Sequence, residues 1–241
     1  ASRGLAAGSV LATIELRILL IEFADMAVPM SLHCRLTLYV DDATIETVAT
    51  SRATRAEHAR VTNAFTQALI GIRLVFSETK NVTCASSGRL AREVCALLVG
   101  IKVKVAARIV SLGSGTGAGR RRNASHMRSR LKAFKARLPR FKALRRGGVK
   151  TDRLLRTGGI AAPTFGQRAL GVSDSMLMDQ RRAAAAATCD KACGADVDLT
   201  LVVADGASIG AADPAFEAHI GVIHMWSPAV WEDWCPRLLL A

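Results

Sequence analysis

Hydrophobic and polar positions give the chain three textures. After Gly8-Ser9, residues 10–23 carry apolar side chains at helical spacing. Two short runs, 36–40 and 43–47, are rich in Val, Ile, Thr and Tyr and flank the polar pair Asp41-Asp42. Such runs around a two-residue turn predict a β-hairpin. From Thr50 to about Gly71, the spacing of Val61, Ala64, Phe65, Ala68, Leu69 and Ile72 predicts a helix, with Gly71 as its stop. Residues 73–76 and 81–85, joined by 77–80, read as a second hairpin. Ser87 is a candidate cap for a helix carrying Leu90, Val94, Leu97 and Leu98. Residues 101–105 alternate as a strand, and 108–112 read as another. Residues 1–112 are therefore read as α+β, an antiparallel sheet with helices on one face.

The second texture covers residues 113–188. The glycine-rich run 113–119 predicts a flexible hinge before Arg120, Arg121 and Arg122. Met127, Leu131, Phe134, Leu138, Phe141 and Leu144 then recur at steps of three or four among Arg and Lys. This predicts a helix with one apolar face and one basic face. Pro139 should kink or break it, and Gly147-Gly148 should end it. Shorter helices are expected over 151–157, 159–171 and 173–188, the last capped by Ser173. Residues 189–241 form a mixed acidic extension. There, 196–203 reads as a strand and Asp213-Pro214 as a helix start. Trp226, Trp231 and Trp234, with Ile220, Val222 and Ile223, read as the cover of a core.

Half of the 241 residues are apolar, enough for a globular core and too many for a disordered chain. The net charge of +13 is concentrated. Residues 101–156 hold 18 Lys or Arg and one acid, Asp152, for a net +17, and the rest of the chain is −4. Arg outnumbers Lys by 25 to 8, which favours phosphate recognition over mere solubility. A polyanion, most commonly nucleic acid, is the partner this implies. Glu15, Arg17, Glu22 and Asp25 interrupt the N-terminal apolar stretch, so no simple membrane span or signal peptide is expected. The six cysteines lack a disulfide-scaffold spacing, which points to a reducing, intracellular location, nuclear or cytoplasmic.

Tyr39-Val40-Asp41-Asp42 is the most informative string, and it holds the single tyrosine of the chain. Two adjacent carboxylates on a tight turn repel each other, and a divalent cation or a nearby positive charge relieves that repulsion. Hard oxygen donors select Mg²⁺ or Mn²⁺, the ions of two-metal phosphoryl transfer. The alternative is an ordinary solvated Asp-Asp turn.

The string resembles the Tyr-x-Asp-Asp hairpin of reverse transcriptases, and further motifs follow in the family's order. Arg3-Gly4 through Ser9 looks like the motif that contacts template and incoming nucleotide, although Arg3 stands where Gln is usual and Val10 where Pro is common. Residues 71–80 look like the next palm motif, ending in Lys80. Residues 107–113 are similar to the primer-grip strand pair. The overall texture is similar to non-LTR retroelement domains, over about residues 1–190. The resemblance implies a partial polymerase palm over 1–112, a basic thumb-like region over 113–188 and an extension of unassigned role over 189–241. It implies Asp41 and Asp42 as ligands of Mg²⁺ or Mn²⁺, Lys80 as an acid near the leaving pyrophosphate, and Tyr39, Arg3 and Gly4 near the primer and nucleotide. The partners it implies are an RNA template with a DNA primer, dNTP, and an upstream fingers and palm region of the same polyprotein. That upstream part would supply a third carboxylate, so the chain alone is expected not to polymerise DNA. Arg120, Arg121, Arg122, Arg128, Lys132, Lys135 and Arg145 are expected to contact backbone phosphate. A second reading is a non-catalytic nucleic-acid-binding relic, and a third a basic structural protein.

Other motifs are weaker. No Gly-Lys-Ser/Thr follows the 113–119 glycines, so a phosphate loop is not expected. Cys189, Cys193, His219 and His224 fit no common zinc spacing. Asn81-Val-Thr83 and Asn123-Ala-Ser125 match the glycosylation pattern without any secretory signal beside them.

Overall fold

The computed structural model describes residues 11–117, 122–189, 194–208 and 210–232. The chain divides into two compact units, residues 1–109 with 117–119, and residues 110–116 with 120–241. The structure is mixed α and β, mostly helical. Its described strands form three separate pairs rather than one continuous antiparallel sheet. No described helix is long and apolar enough to cross a membrane.

The first unit opens with α1 (Ala12–Ala27) and a 3₁₀ turn, Val28–Met30. β1 (Cys34–Tyr39) and β2 (Asp42–Thr47) then pair antiparallel, from Cys34 opposite Thr47 to Tyr39 opposite Asp42. The turn is therefore Val40-Asp41, one residue earlier than the Asp41-Asp42 turn the composition suggests. Val40 takes φ 55, the positive value that two-residue hairpin turns require at their first position. α2 (Ser51–Gly71) is capped by Thr50, whose side chain accepts from Ala53 N. Leu36, Leu38 and Ile45 from the hairpin, and Leu16 and Phe23 from α1, pack onto the core of Leu20, Val61, Phe65 and Leu69.

The second expected hairpin does not form. α2 stops at Gly71, as expected, and closes in a Schellman turn, with Leu74 N bonding Leu69 O at 3.0 Å and Arg73 N bonding Ile70 O at 2.8 Å. Arg73, not Gly71, takes the left-handed position, at φ 66. That turn consumes the start of the 73–76 run, and Leu74 and Phe76 then pack on the first core rather than on a partner strand. β3 (Val82–Thr83) instead pairs parallel with β4 (Lys104–Val105). Between them runs α3 (Gly88–Cys95), capped by Ser87 Oγ, which accepts from Leu90 N at 3.2 Å.

β5 (Ile109–Ser111), all but its first residue in the second unit, and β6 (Ser114–Thr116) are joined by Leu112-Gly113, with φ 48 and 77. The first half of the expected hinge is thus a hairpin, because Gly113 supplies one of two positive φ angles. Residues 118–121 lie outside the described residues. α4 (Ser125–Lys135) and α5 (Leu138–Arg146) are separated before Pro139, as its position predicts. α6 (Thr151–Leu154), a π turn (Leu155–Gly159), α7 (Ala161–Thr164) and α8 (Gln167–Leu170) lead to α9 (Asp174–Thr188), capped by Ser173. The 196–203 run is not a strand but α10 (Val197–Asp205). Asp196 caps it by accepting from Leu199 N at 2.9 Å, and Leu201 and Ala204 face the core at helical spacing. α11 (Pro214–Trp231) starts at the Asp213 cap, as read from Asp-Pro.

The tryptophan reading is also corrected. Trp226 is 49% exposed and Trp231 91% exposed, while Trp234 lies outside the described residues. α11 buries Pro214, Gly221 and Ala229 instead. A Cβ on Gly221 would come within 2.7 Å of Arg168 Cγ, so the helix packs by its small residues and turns its large ones outward.

Candidate catalytic hairpin and nucleic-acid interface

The first unit holds the hairpin site. In-register partners share a face of the pair. Tyr39 and Asp42 therefore share one face with Thr37 and Thr44, and with Arg35 and Glu46. Leu36, Leu38 and Ile45 occupy the other face, against the core. Asp42 thus points to the open face and Asp41 sits on the turn, both exposed. Among the described residues, no hydrogen bond or ion pair engages either carboxylate, and no group of three His, Cys, Asp or Glu is placed to hold a metal ion. Tyr39 is 59% exposed beside them. A β-branched residue at positive φ is an outlier, so Val40 places backbone strain at the tip.

The base of the hairpin is fixed by α2, through residues that pattern reading missed. Thr47 Oγ1 and His58 Nδ1 share a hydrogen bond of 2.9 Å, and Cys34 Sγ lies 3.1 Å from the same hydroxyl. Burial pushes the His58 imidazole below its ordinary pKa. The Ser31 hydroxyl donates to Glu57, and His33 Nδ1 lies 3.0 Å from the same oxygen. Those two contacts, the Ser31 hydroxyl foremost, hold the Glu57 carboxyl below its ordinary range. Arg60 donates to Met30 O. A helix reaching back with Glu57, His58 and Arg60 leaves a signal only as polar residues at 57, 58 and 60, which solvent exposure would explain equally well.

Lys80 sits in the same unit with an exposed side chain. Its backbone N donates to Ser77 Oγ at 3.2 Å, so the turn is organised by Ser77. Among the described residues no hydrogen bond or ion pair joins Lys80 to Asp41 or Asp42. Arg3 and Gly4 lie outside the described residues.

The second unit carries the basic surface. Arg122, Arg128, Lys132 and Lys135 are exposed, as are Arg137, Arg140, Lys142 and Arg146. Arg120 and Arg121 lie outside the described residues. Met127, Leu131 and Phe134 bury the opposite side of α4. Arg128, Lys132 and Lys135, at steps of four and three, line a cleft of about 370 Å³ with Ser173, Ser175 and Asp179. Lys135 is 3.1 Å from Asp179, so one of the three cations is already paired.

Arg145 differs from its expected role. It is half-buried and donates to Ala187 O, to Cys189 O at 3.2 Å and to Ala186 O at 3.4 Å. Its guanidinium caps the carbonyl end of α9, where a cation is favoured by the helix dipole. Arg130 stacks over Phe165 with 4.5 Å to the ring centre. Arg156 donates to Asp205 O at 2.8 Å and pairs with Asp152. Arg181 joins Asp213 at 2.8 Å and also Asp198, tying α9 to the starts of α10 and α11, and those contacts raise its already high pKa. Comparisons with family models, curated proteins and solved structures found no match to the chain.

Proposed function

We propose that the chain is the C-terminal palm and thumb portion of a reverse transcriptase, with Asp41 and Asp42 ligating Mg²⁺ or Mn²⁺ in the complete protein. The observation that supports it most is the Tyr39-Val40-Asp41-Asp42 hairpin. Its tip is strained, its carboxylates are exposed, and its base is pinned to α2. A rigid base with an open acidic tip suits metal-held phosphates. When bound, the ions would activate the primer 3′ hydroxyl and stabilise the leaving pyrophosphate. The chain's own residues would supply two carboxylates, a tyrosine beside them and a basic surface for the duplex backbone. Lys80 would act near the pyrophosphate, a role that rests on the resemblance alone.

The absence of a third acidic neighbour among the described residues favours a second reading for the isolated chain, a duplex-binding module without catalysis. The test is RNA-templated primer extension with Mg²⁺, using the chain joined to its upstream reading frame. Synthesis that Asp41→Ala abolishes while duplex binding survives supports the polymerase. Synthesis unaffected by Asp41→Ala, or none by the joined protein, would overturn it. Template-dependent synthesis by the isolated chain would show that no further carboxylate is needed.

A further inference from the structure

α1 carries two apolar seams. Leu16, Leu20, Phe23 and Ala27 face the first core. Leu11, the residue just before the helix, and Ile14, Ile18 and Ile21 within it are 55%, 53%, 68% and 58% exposed. At about 100° per residue the two seams lie about 170° apart, on opposite sides of the helix. A helix apolar on two sides is normally covered on both. The exposed seam alternates steps of three and four, the spacing of the a and d positions of a coiled coil. Asp25 falls at the next such position and ends the run.

We infer that this seam pairs with the same seam of a second copy, in parallel orientation. Charge selects both the occupant and the direction. With Leu11 and Ile18 at a, and Ile14 and Ile21 at d, Arg17 falls at g and Glu15 and Glu22 at e. In a parallel pair each g residue meets the e residue five positions on in its partner. Arg17 of each copy then faces Glu22 of the other, twice by symmetry. In an antiparallel pair, g meets g and e meets e. Arg17 would face Arg17, and Glu15 would face Glu22, all like charges. The flanks thus favour one arrangement and oppose the other. The inward seam stays on its own core, so the two copies splay to either side of the paired helices. Four side chains per copy bury less than the roughly 1,200 Å² of a stable interface, so the dimer is weak and dissociates on dilution.

Sedimentation equilibrium of the full chain over a wide dilution series tests this. The wild type is expected to pass from monomer to dimer as concentration rises. Ile18→Glu, on the exposed seam, should remain monomeric with an unchanged thermal transition. Arg17→Glu should weaken the dimer by roughly tenfold, and adding Glu22→Arg should restore it. A wild type that is monomeric throughout overturns the proposal and assigns the seam to a different chain or segment. Association that ignores Ile18→Glu, or a double charge swap that fails to restore it, overturns it as well.

Discussion

The two units are held together differently. Among the described residues, the core of the first gathers six buried apolar residues around α2, and its polar links run from α2 both to the hairpin base and to residues 93–99. The core of the second, again among the described residues, gathers thirteen. Its polar links are made by arginines and glutamines that reach across the sequence. Arg145 reaches the end of α9, Gln167 donates to Pro214 O, Arg168 pairs with Glu217, and Arg181 bridges to Asp213. In the first unit, the polar links converge on one helix, α2. In the second, the residues that make it basic also hold it together. Some of its cations cap helices and pair with carboxylates, and the exposed ones outside such pairs are those that the proposed function leaves for a polyanion.

Breaking each core separately gives the largest effects. Phe65→Ala, at a site 2% exposed, should cost about 3–5 kcal/mol and lower the transition of the first unit while leaving that of the second in place. A single shared transition in calorimetry would show that the two do not melt independently. Arg181→Ala should cost about 2–3 kcal/mol in the second unit, because it leaves Asp213 partly buried without its cation, and urea melts read this directly.

Two backbone positions sharpen the comparison by gaining stability. Arg73→Gly and Val40→Gly each replace an L side chain at positive φ and should stabilise the first unit by about 1 kcal/mol. A loss at either position would mean that its side chain makes contacts worth more than the strain. The Val40 variant also asks whether strain at the tip matters to synthesis by the complete protein.

The smallest effect is the response to pH. His58 is held neutral by burial, so the unfolded chain takes up its proton at a higher pH than the folded first unit does. The stabilisation is complete above the unfolded value of about 6.5 and is lost as pH falls from there through the folded value. Glu57, whose folded pKa is also lowered, extends the loss to more acidic pH. His58→Gln should flatten the first part of that profile, as measured by melting temperature against pH.

Local signals were legible in the sequence. The hairpin strands, the caps Ser87 and Ser173, and the break at Pro139 all follow from short-range chemistry. The turn slipped by one residue because Asp-Asp is a better turn by composition, whereas the pairing of Tyr39 with Asp42 puts Val40 at positive φ. α10 reads as a strand because of its Val, Leu and Thr, yet the Asp196 cap was there to be seen and outweighs β propensity. The destination of Arg145 was not legible, since its acceptors lie more than forty residues away. The candidate carboxylates were visible from their motif, but the anchors Glu57 and His58 were not, because their partners are set by how α2 crosses the hairpin base.

The central claim is that the outward cations bind nucleic-acid backbone while the inward ones hold the fold. It is tested most directly by the affinity of the full chain for an RNA·DNA duplex as salt is raised. The logarithm of affinity should fall steeply with that of salt, and Arg128→Gln, Lys132→Gln and Arg140→Gln should each make the slope shallower by about 0.9. Arg145→Gln should lower the melting temperature and leave the slope unchanged. A nearly flat plot for the wild type, or a slope that responds to Arg145 and not to Arg128 and Lys132, would contradict the account.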